Sequence, residues 1–207
     1  MKKYISKFHY RTQDLPNRTH AEQARIACGN GVNWVQYRCM SKTDEELISE
    51  INQIAQICDD WGATLIISNH YHLLGKVDAQ GVHIEDMGAD LAAIRQHIGE
   101  DKTLGASSTD IQRLLYVQQL GVVDYSTHGP FRHTDIQPNN RSLLGFEGYN
   151  ELQKHAIAIP VIAIGGVQSD DVEHLLETGV YGVAVSSAIN LSVDPGSMVK
   201  EIYRKIY

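Results

Sequence analysis

Polar side chains able to do chemistry recur in this sequence directly after short apolar runs. Gln36 and Arg38 close the run that begins at Trp34, and Ser68-Asn69-His70 follow Leu65-Ile66-Ile67. His83-Ile84-Glu85-Asp86 ends a third run, and Ser107-Ser108-Thr109 a fourth. Further on come His128 and His133, then Gly165-Gly166 after VIAI and Ser186-Ser187 after GVAV. An arginine can grip a phosphate through two parallel N–H donors. Carboxylates such as Glu85 and Asp86 are hard oxygen donors for Mg2+, although they serve equally well to cap a following helix. Paired glycines allow close backbone approach, and amides at a helix start attract phosphate. Histidine titrates near neutrality, which suits it to bind an anion or to move a proton.

The elements that must position these groups alternate along the whole chain. Runs at Tyr4–Phe8, Trp34–Arg38, Thr64–Ile67, Gly81–Ile84, Thr103–Ala106, Val122–Ser126, Val161–Ile164 and Gly182–Val185 have strand character. Several are continuously apolar, as in parallel strands covered on both faces. Helix signals fall between them. Thr19-His-Ala-Glu22 and Thr43-Asp-Glu-Glu46 are capping boxes. Leu47, Ile48, Ile51, Ile54, Ala55 and Cys58 then form one apolar stripe at helical spacing. Ser169 with Asp170 and Asp171 marks a helix start, Gly179 its end, and Asp194-Pro195 another start.

Eight such units with no Pro/Ser-rich linker predict an α/β fold, a single (β/α)8 TIM barrel over residues 1–207. An open doubly wound sheet shares the local pattern. In a barrel the active site lies at the C-terminal ends of the strands, where the polar clusters fall, and a phosphate often sits after strands 7 and 8. Strand periodicity puts Gln36 and Arg38 on one face, with Val35 and Tyr37 on the other. The long stretch Gly129–Gly145 has the length of a functional loop.

Composition narrows the partners. The chain has a formal net charge of −7, which argues against nucleic acid and anionic membranes. It also requires any phosphate site to concentrate positive potential locally. Cys28, Cys39 and Cys58 form no CxxC pair and read as reduced residues of a cytoplasmic protein. The N-terminus lacks the apolar run of a signal peptide, and nowhere do about 18 apolar residues run together to span a membrane. A homo-oligomer is compatible with this reading.

With these residues in this order, the chain resembles the thiamine phosphate synthase family and its sister group, the thiazole tautomerases. VQYR, GVHIEDM, VDYSTHGPFRHT, LLGFEGY, IPVIAIGG and ETGVYGVAVSSAI carry the resemblance, which covers nearly all of the chain. It implies small phosphorylated pyrimidine and thiazole ligands, with a hydroxymethylpyrimidine pyrophosphate coupled to a thiazole phosphate and pyrophosphate released. The implied mechanism is dissociative, through a pyrimidine-methyl cation attacked by the thiazole nitrogen.

By position, the resemblance puts Gln36 and Arg38 against the pyrimidine and pyrophosphate. Ser68 and Asn69 fall where the family has Asn-Asp, so that Asn69 and Asp86 become the Mg2+ positions. Ser107 and Thr134 fit hydroxyl positions, and Gly165, Gly166, Ser186 and Ser187 fit the thiazole-phosphate site. Met40, Asn69 and Gln137 replace two lysines and an aspartate of the pyrophosphate and metal side. His70, His128, His133, Arg132 and Arg141 are candidates to compensate. Three readings follow. The first is a synthase in which Arg38, His128 and His133 serve catalysis. The second is a tautomerase with His128 or His133 as its base. The third is a non-catalytic barrel that binds a thiamine precursor.

Overall fold

A computed structural model describes residues 3–133 and 142–207. Eight parallel strands close into a barrel in sequence order, β1 (Phe8–Arg11), β2 (Trp34–Tyr37), β3 (Thr64–Ser68), β4 (Gly81–Ile84), β5 (Thr103–Ser108), β6 (Tyr125–His128), β7 (Val161–Ile164) and β8 (Gly182–Val185), with β8 pairing back onto β1. An open sheet is thereby excluded. Between and after the strands run α1 (His20–Gly29), α2 (Asp44–Asp60), α3 (Leu91–Ile98), α4 (Ile111–Gln119), α5 (Gly145–Asn150), α6 (Val172–Glu177), α7 (Ser187–Asn190) and α8 (Pro195–Ile206). No helix among the described residues is long and apolar enough to cross a membrane.

Local chemistry sets the helix starts. Both capping boxes form: the Thr19 and Thr43 side chains accept from the amides of Glu22 and Glu46, whose carboxylates reach back to the threonine amides. Asp194 caps α8 with Pro195 behind it. The start expected at Ser169 is different. Gln168 caps a short 3₁₀ turn, Ser169–Asp171, and the α-helix begins only at Val172.

Strands β1 and β6 also start later than their apolar runs, at Phe8 and Tyr125 instead of Tyr4 and Val122. The physical reason is that polar side chains fill the upper barrel. With β1 running to Arg11, His9 and Arg11 fall on its inward face within the barrel, and β6 runs on to Thr127 and His128.

Two apolar regions hold the fold. Outside the sheet, alternate strand residues such as Tyr37, Leu65, Val82 and Leu104 pack under Leu47, Ile51, Ile54 and Leu91 of the helices. Inside, Trp34, Ile66, Tyr125, Ile162 and Ala184 make a second cluster. His9 stacks on Trp34 at 4.5 Å, and His83 stacks on Tyr125 at 5.4 Å. Glycine makes room for these rings. A Cβ on Gly105 would lie 2.3 Å from the Tyr125 ring and 2.5 Å from His83. Large and small residues thus alternate around the interior, as a closed barrel needs.

Candidate active site

Above this aromatic floor the strands end in polar residues, and the barrel mouth opens into a cleft lined by them. One wall is charged. Arg38 follows β2, its Nε lying 3.0 and 3.1 Å from the two oxygens of Glu85, just after β4. Arg11, the last residue of β1, places Nη1 3.3 Å from the same carboxylate. Burial works to raise the Glu85 pKa, but Arg11 and Arg38 outweigh it and hold the carboxyl below its usual value. Burial pulls Arg11 below the usual arginine value, Glu85 opposes this, and Arg38 adds to it.

The rest of the cleft is neutral and close-fitting, and it begins beside Arg11, because Tyr10 of β1 pairs with Val185 of β8. Gly165, Gly166, Ser186 and Ser187 line it with Ser107, Thr127 and Gly129. Both glycines have positive φ, 97° and 70°, and a Cβ would meet Pro130 at 2.7 Å or Arg132 at 2.9 Å. Only glycine fits there without strain. The Ser186 hydroxyl donates to Gln13 Oε1 at 3.0 Å. Hydroxyls and exposed backbone in such a pocket can hold an anion that the neighbouring Arg11 guanidinium would favour.

Gln36 of β2, on the same strand face as Arg38, is fully buried. Its Nε2 donates to Ser68 Oγ at 2.8 Å, while its Oε1 has no partner among the described residues. A buried acceptor left open is costly unless a ligand or water completes it. Ser107 Oγ is within reach of His83 Nε2 and Thr127 Oγ1, at 3.0 and 3.2 Å.

Other expected residues are not gathered here. The amide oxygen of Asn69 accepts from the Glu85 backbone at 2.8 Å, with Asn69 itself at φ 65°. Asp86 is exposed and turns one oxygen to the Gly88 amide at 2.8 Å, while α3 takes its cap from Asp90. With Glu85 held between two guanidiniums, these oxygens do not make the open set of carboxylates that Mg2+ favours.

His128 points outward from β6. Its Nδ1 meets Ser108 Oγ at 2.8 Å and its ring packs against Tyr149 of α5. That is the wrong face of the sheet for a base working in the mouth. Arg132 forks onto Asp171 instead of the cleft. His133 is exposed, its carbonyl lying over Gly166. His70 bonds the Cys39 carbonyl at 3.3 Å, and Met40 is 61% exposed. Thr134, Gln137 and Arg141 lie outside the described residues.

Sequence reasoning missed Arg11, because the first strand was placed too early to bring it inside. The signal was alternation in Phe8-His9-Tyr10-Arg11, which puts the polar pair on one face.

The family model for thiamine monophosphate synthase matches residues 9–189. The thiamine-phosphate synthase of Bacteroides fragilis is 33% identical over 195 residues, covering 92% of this chain and 95% of that protein. A thiamine-phosphate synthase of Synechococcus sp. is 36% identical over 198 residues, 93% of this chain and 53% of its own longer one. Among solved structures, the thiamine phosphate pyrophosphorylase of Pyrococcus furiosus superposes with a TM-score of 0.85 at 25% identity, covering 97% of this chain and 95% of that one. A closed eight-stranded barrel, a polar mouth and a match over most of the chain agree: this protein belongs to the thiamine monophosphate synthase family.

Proposed function

We propose that the protein is a transferase of thiamine biosynthesis, a thiamine-phosphate synthase that joins a hydroxymethylpyrimidine pyrophosphate to a thiazole phosphate and releases pyrophosphate. The observation that carries this reading is the composition of the mouth, where Arg11 and Glu85, the latter held by Arg38, share one cleft with the glycines and hydroxyls after β5, β7 and β8. Two anionic substrates need both sets of groups, close enough for their rings to meet.

In this reading the C–O bond of the pyrimidine substrate breaks with its electron pair going to pyrophosphate, and the thiazole nitrogen then attacks the methyl cation. Arg38 stabilises the departing anion, acting where charge develops. Gln36 offers its open amide oxygen to an N–H donor of the pyrimidine, with Ser68 fixing the amide. Gly165, Gly166, Ser186 and Ser187 hold the phosphate of the thiazole, and Ser107 closes the site between the rings. Orientation supplies much of the rate, because two bound reactants replace a bimolecular encounter. No step is assigned to Mg2+, since Asn69 and Asp86 are committed to backbone amides. Nor is one assigned to His128, which faces α5. The buried free cysteines suit a reducing compartment, and we assign the protein to the cytoplasm.

The test is to incubate the protein with both precursors and follow thiamine phosphate and pyrophosphate. The two products are expected in equal amounts. Tight binding of thiazole phosphate with no product would overturn the synthase reading.

A further inference from the structure

The cationic wall of the mouth differs from what the sequence resemblance implies, and Arg11 is the difference. One family lysine position is Met40, a side chain without a donor that stands 61% exposed. Arg11 instead comes from β1, the strand paired beside β2, with its side chain only 12% exposed. It lines the same cleft as Gly166, Ser186 and Ser187.

Its surroundings leave it underused by the protein. Among the described residues, Arg11 makes one side-chain hydrogen bond, from Nη1 to Glu85, and Arg38 bonds Glu85 through Nε alone. A guanidinium has five N–H donors. Most of those of Arg11 and Arg38 therefore have no protein partner among the described residues. Charge gives the same result. Two guanidiniums meet one carboxylate there, so this wall carries a positive surplus inside a chain of net charge −7. Buried cations are costly unless an anion answers them.

We propose that Arg11 is a second anion-binding residue of this site, sharing the leaving pyrophosphate with Arg38, and that Glu85 is the positioning residue which spaces the two guanidiniums until the anion arrives. The assignment rests on the synthase reading for its ligand. Arg11 then supplies from β1 a cation that the family takes from the residue now occupied by Met40. Its forked donors suit bridging phosphate oxygens better than a lysine would. Glu85 competes with the ligand for the same donors, so its removal acts in two directions. The anion meets less competition, but the arginines lose the geometry that aims them.

Calorimetric titration with inorganic pyrophosphate, and separately with thiazole phosphate, tests this on the full-length protein. Arg11→Gln is expected to weaken pyrophosphate binding by at least about tenfold, the loss of one charge-assisted contact, and to weaken it more than thiazole phosphate binding. Arg11→Lys keeps the charge and covers the case in which Arg11→Gln does not fold. It should bind pyrophosphate severalfold less tightly than the parent. Glu85→Gln should bind pyrophosphate more tightly while kcat falls, a split that lost folding does not produce. Pyrophosphate affinities of both Arg11 variants within twofold of the parent would overturn the assignment. Parent turnover is scored separately: Arg11-dependent pyrophosphate binding without product would sink the synthase reading and leave the anion site standing.

Discussion

The Nε2 of His83 lies 3.0 Å from the Oγ of Ser107, while its Nδ1 lies 3.1 Å from the Tyr125 hydroxyl. One imidazole therefore joins the reactive mouth of the barrel to its aromatic floor. Removing the hydroxyl in Ser107→Ala leaves His83 its contact with Thr127 at 3.2 Å, so the floor should hold. The expected loss is one hydrogen bond, about 1 kcal/mol. Steady-state kinetics should show kcat/KM reduced about five- to tenfold, with the melting temperature lowered by only a few degrees. An unchanged kcat/KM would remove Ser107 from the substrate contacts.

Acid should unfold this barrel early. Burial lowers His9 to about 3, with His83 adding to the effect, and burial lowers His83 and His128 each to about 4. These histidines are neutral in the folded protein and take up protons when it unfolds. Their contribution is complete above the unfolded value of about 6.5 and is lost as the pH falls from there towards 4. Denaturant titrations at pH 7.5, 6, 5 and 4.5 should show stability declining over that window, and His83→Gln should flatten the slope. A flat profile from pH 7 to 4.5 would contradict the buried neutral state.

Gly105→Ala tests the interior packing. The added methyl would lie 2.3 Å from the Tyr125 ring, where neither β5 nor β6 can yield without moving a ladder. Overpacking of this kind costs about 1–3 kcal/mol. Chemical denaturation should report that loss, and near-ultraviolet circular dichroism should show a changed environment for Tyr125 and Trp34. If stability were unaffected, the interior would be looser than its ring contacts imply.

His128→Leu separates the two faces of β6. It removes the hydrogen bond to Ser108 and the edge contact with Tyr149, so about 1–2 kcal/mol of stability should go. Turnover by the remaining folded protein should stay within twofold of the parent. A hundredfold fall in kcat with normal stability would restore His128 as a proton carrier.

Much of this architecture was legible in the sequence, and its failures have one physical origin. Continuous apolar runs such as VIAI and GVAV fixed β7 and β8 to the residue, because parallel strands there are covered on both faces. β1 and β6 were misplaced by three or four residues because the upper barrel is polar, so hydrophobicity does not mark strand at that level. The glycine and serine wall follows from those strand ends. The charged wall does not. Arg11, Arg38 and Glu85 come from the ends of three different strands, β1, β2 and β4, and meet only once the sheet assembles, a relation that no local spacing encodes. His128 misled for a related reason: its position at a strand end was right, but the inward alternation runs through Tyr125 and Thr127.

The seam between β1 and β8 has a consequence for biosynthesis. Phe8, His9 and Tyr10 pair with Val183, Ala184 and Val185, so nearly the entire length of the chain separates the two partners. As the chain leaves the ribosome, the first strand keeps an unsatisfied edge until the last one emerges. Long-range pairing of this kind carries the largest loop-closure cost and forms slowly, so completing the barrel should wait on this one ladder.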